Sequence, residues 1–390
     1  MKRGFLIGAV LALTACGSTA TTSSAAGTVT PTAKPLPAAT AVEVQASTNS
    51  STVGFVSGSA TIAHATFAPP QKPVVGEAAP IMPPDAVLAH GRIYYADAAG
   101  NIRYLARDGS THDVTQFPLS NPQAFLSFWA SPDGNNLMAI VITVPALTPC
   151  PQDSVCAGSE APGSGPLHLT IYKAQAGGTA TQVTSRDVSN NAFEAPRLLG
   201  WDASGPIVGV DAAVGTQDGH EGADFPYSAA AHLNADGSVG QPLGGDGCSP
   251  WLVLASGILC GPSNNPAGPT TFALRTSGGN TVSSFTVPAN YSEGAGNPEL
   301  SPAGDQLAAT PFGNPTVLIV VNKAGIASVV GSPTDTPIGW LDNNTLVIAS
   351  QGDFTKPELL DVKNHTPAAA YSAANLGAGS LTVLGSVGPG

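Results

Sequence analysis

Three features of the sequence predict an all-β fold made of repeated units. From about residue 83 onward, short runs rich in Val, Ile, Leu, Tyr and Thr alternate with turns rich in Gly, Asn, Asp and Pro. No stretch of this region combines the apolar spacing of a helix with helix caps. The third feature is a strand-turn-strand motif that recurs along the chain and groups the strands.

The motif is clearest at residues 128–141, where an aromatic residue precedes a tight turn and a second strand follows. Pro132 fixes the backbone φ of the turn, and Gly134 adopts a conformation that other residues resist. Looser copies recur downstream, with Leu300 where the other copies have tryptophan. The regular placement of these side chains indicates packing between units rather than a sugar-binding platform. The predicted packing residues are Trp129, Trp201, Trp251, Leu300 and Trp340.

The spacing of the copies predicts how the units assemble. They begin near residues 86, 124, 195, 247, 295 and 336, a period of about 40–50 residues once insertions at 145–166 and 214–227 are set aside. One four-stranded unit cannot bury both of its faces, whereas a closed ring of units buries them and leaves no long exposed edge. We therefore predict a β-propeller over residues 83–390, with six blades, and with seven or eight as alternative counts.

The turn motif also resembles a known repeat. A Ser-Pro-Asp-Gly turn after an aromatic residue, followed by Leu137 and Ile140, resembles the TolB-like, WD40-like (PD40-type) β-propeller repeats of exported bacterial proteins. Only residues 131–134 match this turn fully, and the turn at 301–304 is a degraded copy. The resemblance implies a fold and a tendency to bind partners, and it implies no reaction.

The N-terminus predicts export. Lys2 and Arg3 precede an apolar run, 5–13, that is too short to cross a hydrocarbon core of about 30 Å. The sequence Leu-Thr-Ala-Cys at 13–16 resembles the lipobox of bacterial lipoproteins. The resemblance implies a signal peptide at 1–15 and lipid on Cys16, which would anchor the protein on the extracytoplasmic side of a membrane, at the cell surface or in the periplasm. The alternative is an ordinary signal peptide with a cysteine at its cleavage site.

Composition predicts a disordered stalk between the anchor and the propeller. Residues 16–82 are rich in Pro, Thr, Ser and Ala, so they offer little apolar surface to offset the entropy of ordering. One island within this tract, 53–67, has the composition of a strand. If this island or the C-terminus contributes a blade, the propeller has seven blades.

The remaining cysteines predict disulfides in an exported chain. Four of them allow three connectivities, and their closeness in sequence favours Cys150–Cys156 and Cys248–Cys260. A four-thiolate zinc site is the competing interpretation, but the spacings are not the Cys-x-x-Cys type.

Charge and motifs exclude several functions. The chain has 14 Lys and Arg against 26 Asp and Glu, a balance that argues against nucleic-acid binding. It contains no Gly-x-Ser-x-Gly motif and no phosphate-binding glycine pattern, so we expect no cofactor. His168 and His232 lie on predicted strands as packing or edge residues, and Asp202 is expected to close a turn.

We predict no metal site. The densest polar cluster offers carboxylates and an imidazole, but it lacks a complete calcium-binding loop and is interpreted as a solvated loop. Its residues, the weak candidates for a metal, are Asp218, His220, Glu221 and Asp224.

The two insertions are the predicted binding region. Both join the second and third strands of neighbouring blades, and such connections leave the same face of a propeller. Loops on a rigid scaffold commonly carry binding. We therefore expect a monomeric, non-catalytic envelope lipoprotein whose propeller binds a protein, peptide or glycan. The alternative is an enzyme in the propeller channel, such as a metal-assisted lyase or a lactonase-like hydrolase.

The lipobox gives a first testable prediction. Replacement Cys16→Ser should abolish lipid attachment, because the side chain that accepts the lipid is gone, and the protein should move from the detergent phase to the aqueous phase in phase partitioning. Cys150→Ser is the matched control and should stay in the detergent phase. Partitioning of Cys16→Ser with the detergent would contradict lipidation at this residue.

Overall fold

The computed structural model describes residues 38–71, 85–119, 121, 124–145, 147–149, 160–162, 165–188, 196–212, 227–262, 270–288, 295–311, 317–364, 366–372 and 375–389. These described residues form seven four-stranded antiparallel sheets and one two-stranded hairpin. Within these same residues, one 3-10 turn occurs, at Ser350–Gly352. Among the residues described, no helix has the length and apolar character needed to cross a membrane.

The strands in chain order are β1 Ala39–Ser47, β2 Ser50–Ser57, β3 Ala60–Phe67, β4 Ala86–Ala89, β5 Arg92–Ala96, β6 Asn101–Leu105, β7 Thr111–Gln116, β8 Ala124–Ala130, β9 Asn136–Thr143, β10 Leu147–Pro149, β11 Glu160–Pro162, β12 Leu167–Gln175, β13 Thr181–Val188, β14 Arg197–Asp202, β15 Gly205–Ala212, β16 Tyr227–Leu233, β17 Val239–Pro242, β18 Ser249–Leu254, β19 Gly257–Gly261, β20 Thr270–Arg275, β21 Thr281–Val287, β22 Ala295–Leu300, β23 Gln306–Pro311, β24 Val317–Asn322, β25 Ala327–Pro333, β26 Thr336–Trp340, β27 Thr345–Ala349, β28 Pro357–Asp361, β29 Thr366–Ala370 and β30 Ser380–Val387.

The seven sheets are the blades of a β-propeller. Blades 1 to 6 are β4–β7, β8–β9–β12–β13, β14–β17, β18–β21, β22–β25 and β26–β29, and blade 7 is β30–β1–β2–β3. The first strands of successive blades contact one another, as β4 contacts β8 and β26 contacts β30. These first strands therefore surround the common axis, and the fourth strand of each blade lies at the rim.

The main sequence prediction of six blades is wrong, and the alternative count of seven is the one found. Blade 7 takes its innermost strand from the C-terminus and its other three strands from the N-terminus, with Val42 opposite Val383 in the joining ladder. No contiguous segment therefore contains this blade, so a search for repeats along the chain misses it. Closure by both chain ends gives blade 7 the same four-stranded antiparallel sheet as the other blades.

The predicted stalk boundary is also wrong. Residues 39–67, assigned to the stalk at 16–82, form three strands of blade 7. The composition of this segment is misleading because its few apolar residues are placed in the core: Ala41, Val42, Val53 and Phe55 are fully buried. The signal peptide at 1–15 and Cys16 lie outside the described residues.

The apolar core is a ring of interfaces between blades. Each of seven buried clusters joins one blade to the next. Strand β9 shows how alternation produces this arrangement: Ala139 and Val141 pack toward blade 1, while Ile140 and Ile142 pack toward blade 3. A blade is therefore apolar on both faces and depends on both neighbours for burial.

Hydrogen bonds between distant segments fix the closure. Thr40 Oγ1 donates to the Leu341 carbonyl at 2.7 Å, which ties blade 7 to blade 6. Arg107, in blade 1, donates to the carbonyl of Gly388, directly after β30. The ends of the chain are thus held by both neighbouring blades.

Close approach around the axis requires glycine at particular positions. A Cβ on Gly339 would lie 2.5 Å from Val383 Cβ, and one on Gly385 would lie 2.9 Å from Leu88 Cδ2. Gly339 also has a φ of +150°, which L side chains rarely adopt. These glycines let the innermost strands of blades 6, 7 and 1 approach one another.

The Gly339 contact gives a stability prediction. Gly339→Ala should lower the free energy of unfolding by about 1–3 kcal/mol, because the added methyl overlaps Val383 in a filled core. Gly388→Ala is the control, since a Cβ there meets no atom within 4 Å. Urea unfolding of both variants measures the difference, and equal midpoints would show that the axis tolerates a larger side chain.

Candidate functional site

The two insertions leave the same face of the propeller. The connection from β9 to β12 spans 144–166, and the connection from β15 to β16 spans 213–226. In blade 2 this connection follows Thr143, which pairs with Ala124 at the start of the innermost strand. The corresponding connection in blade 3 lies at the end where β14 begins. We call the end at which the innermost strands begin the insertion face, and the other end the opposite face.

A buried cation anchors the base of the second insertion. Arg197, the first residue of β14, is 1% exposed, and its guanidinium carbon lies 5.8 Å from the centre of the Phe125 ring. Burial lowers the pKa of Arg197 and raises the pKa of Tyr227, and a hydrogen bond between the two side chains opposes both shifts. A Cβ on Gly209 would lie 2.5 Å from Tyr227 Cδ1, so glycine leaves room for the ring. Tyr227 directly follows the insertion, so the chain enters the core immediately after it.

The structure joins one of the two expected cysteine pairs. Cys248 and Cys260 form a disulfide with their Cα atoms 4.9 Å apart, and both are buried in the cluster between blades 3 and 4. Cys150 and Cys156 lie outside the described residues.

The weak metal candidates cannot be placed on the structure. Asp218, His220, Glu221 and Asp224 all lie outside the described residues. Within the part of the chain that is described, no three His, Cys, Asp or Glu side chains are grouped closely enough to hold a metal ion.

The predicted packing residues lie between blades, and they differ in how deeply they are buried. Trp340 is 3% exposed, and its Nε1 donates to the Glu299 carbonyl of blade 5 at 3.0 Å. Trp251 packs edge-on against Phe272, with ring centres 5.8 Å apart. The other three, Trp129, Trp201 and Leu300, pack at the margins of the clusters between blades.

The register corrects one equivalence drawn from the sequence. Ser131 N donates to Asn136 O in the turn of blade 2, and Ser301 N donates to Gln306 O in the turn of blade 5. The residues two positions before these serines, Trp129 and Glu299, therefore occupy equivalent places in their blades. Leu300 therefore takes the place of Ala130, and the carboxyl group of Glu299 takes the place of Trp129. Sequence reasoning aligned the apolar residues and passed over this glutamate, although the shared Ser-Pro turn contained the signal.

The pKa of the Glu299 carboxyl group is raised far above its ordinary value. This residue lies on the innermost strand of blade 5, opposite Ala308, and burial raises its pKa from 4.5 to about 8. At neutral pH the group is therefore mostly protonated and could donate or accept a proton. Strongly perturbed acids of this kind occur at functional sites and also in purely structural positions.

Asp202 gathers a polar network near the opposite face. Its carboxylate accepts hydrogen bonds from His232 Nε2 at 2.9 Å and from Ser277 Oγ at 3.0 Å. Burial acts to raise the pKa of Asp202, but hydrogen bonds from Ser204 N, His232 and Ser277 outweigh it and lower the pKa. The aspartate lies between the serine and the histidine, so the histidine cannot take the serine proton. The network therefore holds a turn in place, beyond the local turn closure predicted from sequence.

A second chain of hydrogen bonds has the connectivity of a catalytic triad. Ser185 Oγ lies 2.7 Å from His168 Nε2, and His168 Nδ1 lies 2.8 Å from Asp187 Oδ1. The His168 and Asp187 side chains are 53% and 62% exposed on the outer two strands of blade 2. This part of the sheet surface is open, and a nucleophile needs a pocket and oxyanion donors. We interpret the group as a cross-strand surface network.

The pKa of Glu299 predicts an unusual pH dependence. Between pH 4.5 and about 8 the folded protein holds a proton that the unfolded chain has lost, so stability falls as pH rises through this window. Glu299→Gln removes this loss and should be more stable than the unmodified protein by about 1–3 kcal/mol at pH 8, with little gain at pH 4. Thermal unfolding at both pH values measures the gain, with Glu358→Gln as the control for lost charge. An equal gain at both pH values would refute the raised pKa.

The comparisons with known proteins concern solved structures alone, because no family model and no curated protein sequence matches this chain. Oligogalacturonate lyase from Vibrio parahaemolyticus is similar at 11% identity and a TM-score of 0.44, covering 70% of this chain and 75% of its own. TolB from Acinetobacter baumannii is similar at 13% identity and a TM-score of 0.35, covering 89% and 66%. An oligogalacturonate lyase in complex with manganese is similar at 10% identity and a TM-score of 0.34, covering 88% and 86%.

Proposed function

We propose that this protein is a non-catalytic binding scaffold of the cell envelope, held to a membrane by lipid on Cys16. The insertion face binds its partner, which is a protein, peptide or glycan. One observation carries the proposal: the insertions of two adjacent blades, 144–166 and 213–226, leave the same face of the ring. Binding residues commonly lie on loops that a rigid scaffold positions.

The packing beneath this face supports the proposal. The Arg197–Tyr227 pair packs at the base of the second insertion, and Leu198 N donates to Ser127 Oγ at 2.9 Å, which links blades 3 and 2 directly below the insertions. The first insertion also contains a short hairpin, with Leu147 opposite Pro162. Packed residues beneath a binding surface hold that surface in place, which lowers the entropy cost of binding.

A channel enzyme is the second candidate function, and Glu299 is the observation that favours it. A mostly protonated carboxyl on an innermost strand could serve as the proton donor of a metal-assisted lyase or a lactonase-like hydrolase. Such an enzyme requires a divalent cation in stoichiometric amount. Elemental analysis of the purified protein decides between the candidates, because one bound cation per chain would favour the enzyme.

Replacement of the first insertion tests the scaffold. Residues 145–166 are exchanged for a short Gly-Ser turn, and captured envelope components are quantified by mass spectrometry. The exchange should remove the specific partner, because it removes half of the proposed surface. The control lengthens the turn at 323–325, which joins β24 to β25 on the opposite face, and it should capture the partner normally. Equal capture by both variants would refute binding at the insertion face.

A further inference from the structure

A cleft of about 650 Å³ opens between blades 2 and 3 on the opposite face. Its lining comes from the turns and strand ends of both blades. In blade 2 these are the start of β9 and the turn from β12 to β13, and in blade 3 they are the first turn and the turn after β16. The volume lies within the range of about 300–1,000 Å³ that is typical of small-molecule sites.

The lining combines an aromatic ring with many hydrogen-bonding side chains. Trp201 borders the cleft and is partly exposed, unlike the buried Trp340. The inner wall is apolar and includes Met138, Pro206 and Leu233. Exposed amide and hydroxyl groups surround it, from Asn136, Gln175, Thr179, Thr181 and Ser204.

The charge of the lining is distinctive in an acidic protein. The chain has a net charge of −12, yet Lys173 is the one ionisable side chain among the lining residues, and none of them is a carboxylate. Asp202, next to Trp201, turns its carboxylate toward His232 and Ser277. The cleft therefore offers uncharged donors and acceptors, an aromatic surface and one cation.

Both walls of the cleft are held in place by hydrogen bonds. In blade 2, Ala176 N donates to Asn135 O at 2.9 Å, and Thr115 Oγ1 from blade 1 donates to Gly178 O at 2.9 Å. In blade 3, Asp202 Oδ1 accepts from Ser204 N at 2.7 Å. The backbone of both walls is therefore held before a ligand arrives, which lowers the cost of binding.

We propose that this cleft binds a short oligosaccharide. A sugar ring has an apolar face that stacks on an aromatic ring and a rim of hydroxyl groups that pair with amides and hydroxyls. The cleft supplies both, with Trp201 on one wall and Asn136, Gln175 and Ser204 within reach of the same space. The proposed site lies on the face away from the insertions, so it is independent of the partner surface proposed above.

A space-filling variant tests the site without disturbing the packing of the blades. Thr179 is exposed in a turn, and Thr179→Trp should fill the cleft. Thr271→Trp is the matched control, because Thr271 is exposed on a strand of blade 4, away from the cleft. The probes are an array of neutral and acidic oligosaccharides, including chitotriose and maltotriose, with proline-rich peptides printed beside them.

The expected result is binding of one or more oligosaccharides by the unmodified protein and by Thr271→Trp, with at least about a tenfold loss of affinity in Thr179→Trp. Trp201→Phe should also weaken binding. In NMR spectra of the unmodified protein, one indole N–H resonance should shift when sugar is added, and Trp201→Phe should remove that same resonance. Absence of oligosaccharide binding, selective binding of the peptides, or equal affinity in Thr179→Trp would overturn the proposal. Loss of the 145–166 loop should leave sugar binding unchanged, which separates this test from that of the scaffold.

Discussion

Closure of the ring is the constraint on which the rest of the structure depends. Every blade is apolar on both faces, and each of the seven buried clusters is shared between two blades. Removal of one blade would expose two interfaces, so the ring gains its stability only when complete. The ladder between β30 and β1, which joins the two ends of the propeller, therefore completes interfaces that β1–β3 and β30 could not form separately.

The axis is where closure limits the choice of side chain most strongly. Gly339 and Gly385 leave space for Val383 and Leu88 of the following blades. Glu299 occupies a corresponding innermost strand in blade 5, and burial holds its carboxyl group largely protonated at neutral pH. This raised pKa is the observation that favours the channel-enzyme hypothesis, although acids with raised pKa values also occur in purely structural positions.

The two faces of the ring offer different kinds of surface. The insertion face bears the long connections of blades 2 and 3, and Arg197 and Tyr227 pack at the base of the blade 3 connection. The opposite face has short turns held by aspartate and backbone hydrogen bonds, as at Asp202, and between them lies the cleft bordered by Trp201. Long loops suit a macromolecular partner, whereas a small rigid cleft suits a small ligand. Blades 2 and 3 contribute to both surfaces.

Local patterns in the sequence determined the strands, the turns, the approximate repeat and the face from which the insertions leave, because each depends on neighbouring residues or on chain order. Only the tertiary structure shows the seventh blade. Thr40 contacts Leu341, which is 301 residues away in sequence, and no local sequence pattern predicts that contact. The tertiary structure also decided that residues 39–67 belong to the propeller, that Glu299 rather than Leu300 takes the place of Trp129, and that Trp201 borders a cleft. Each of these depends on how separate blades pack, and packing brings together residues whose spacing in sequence has no period.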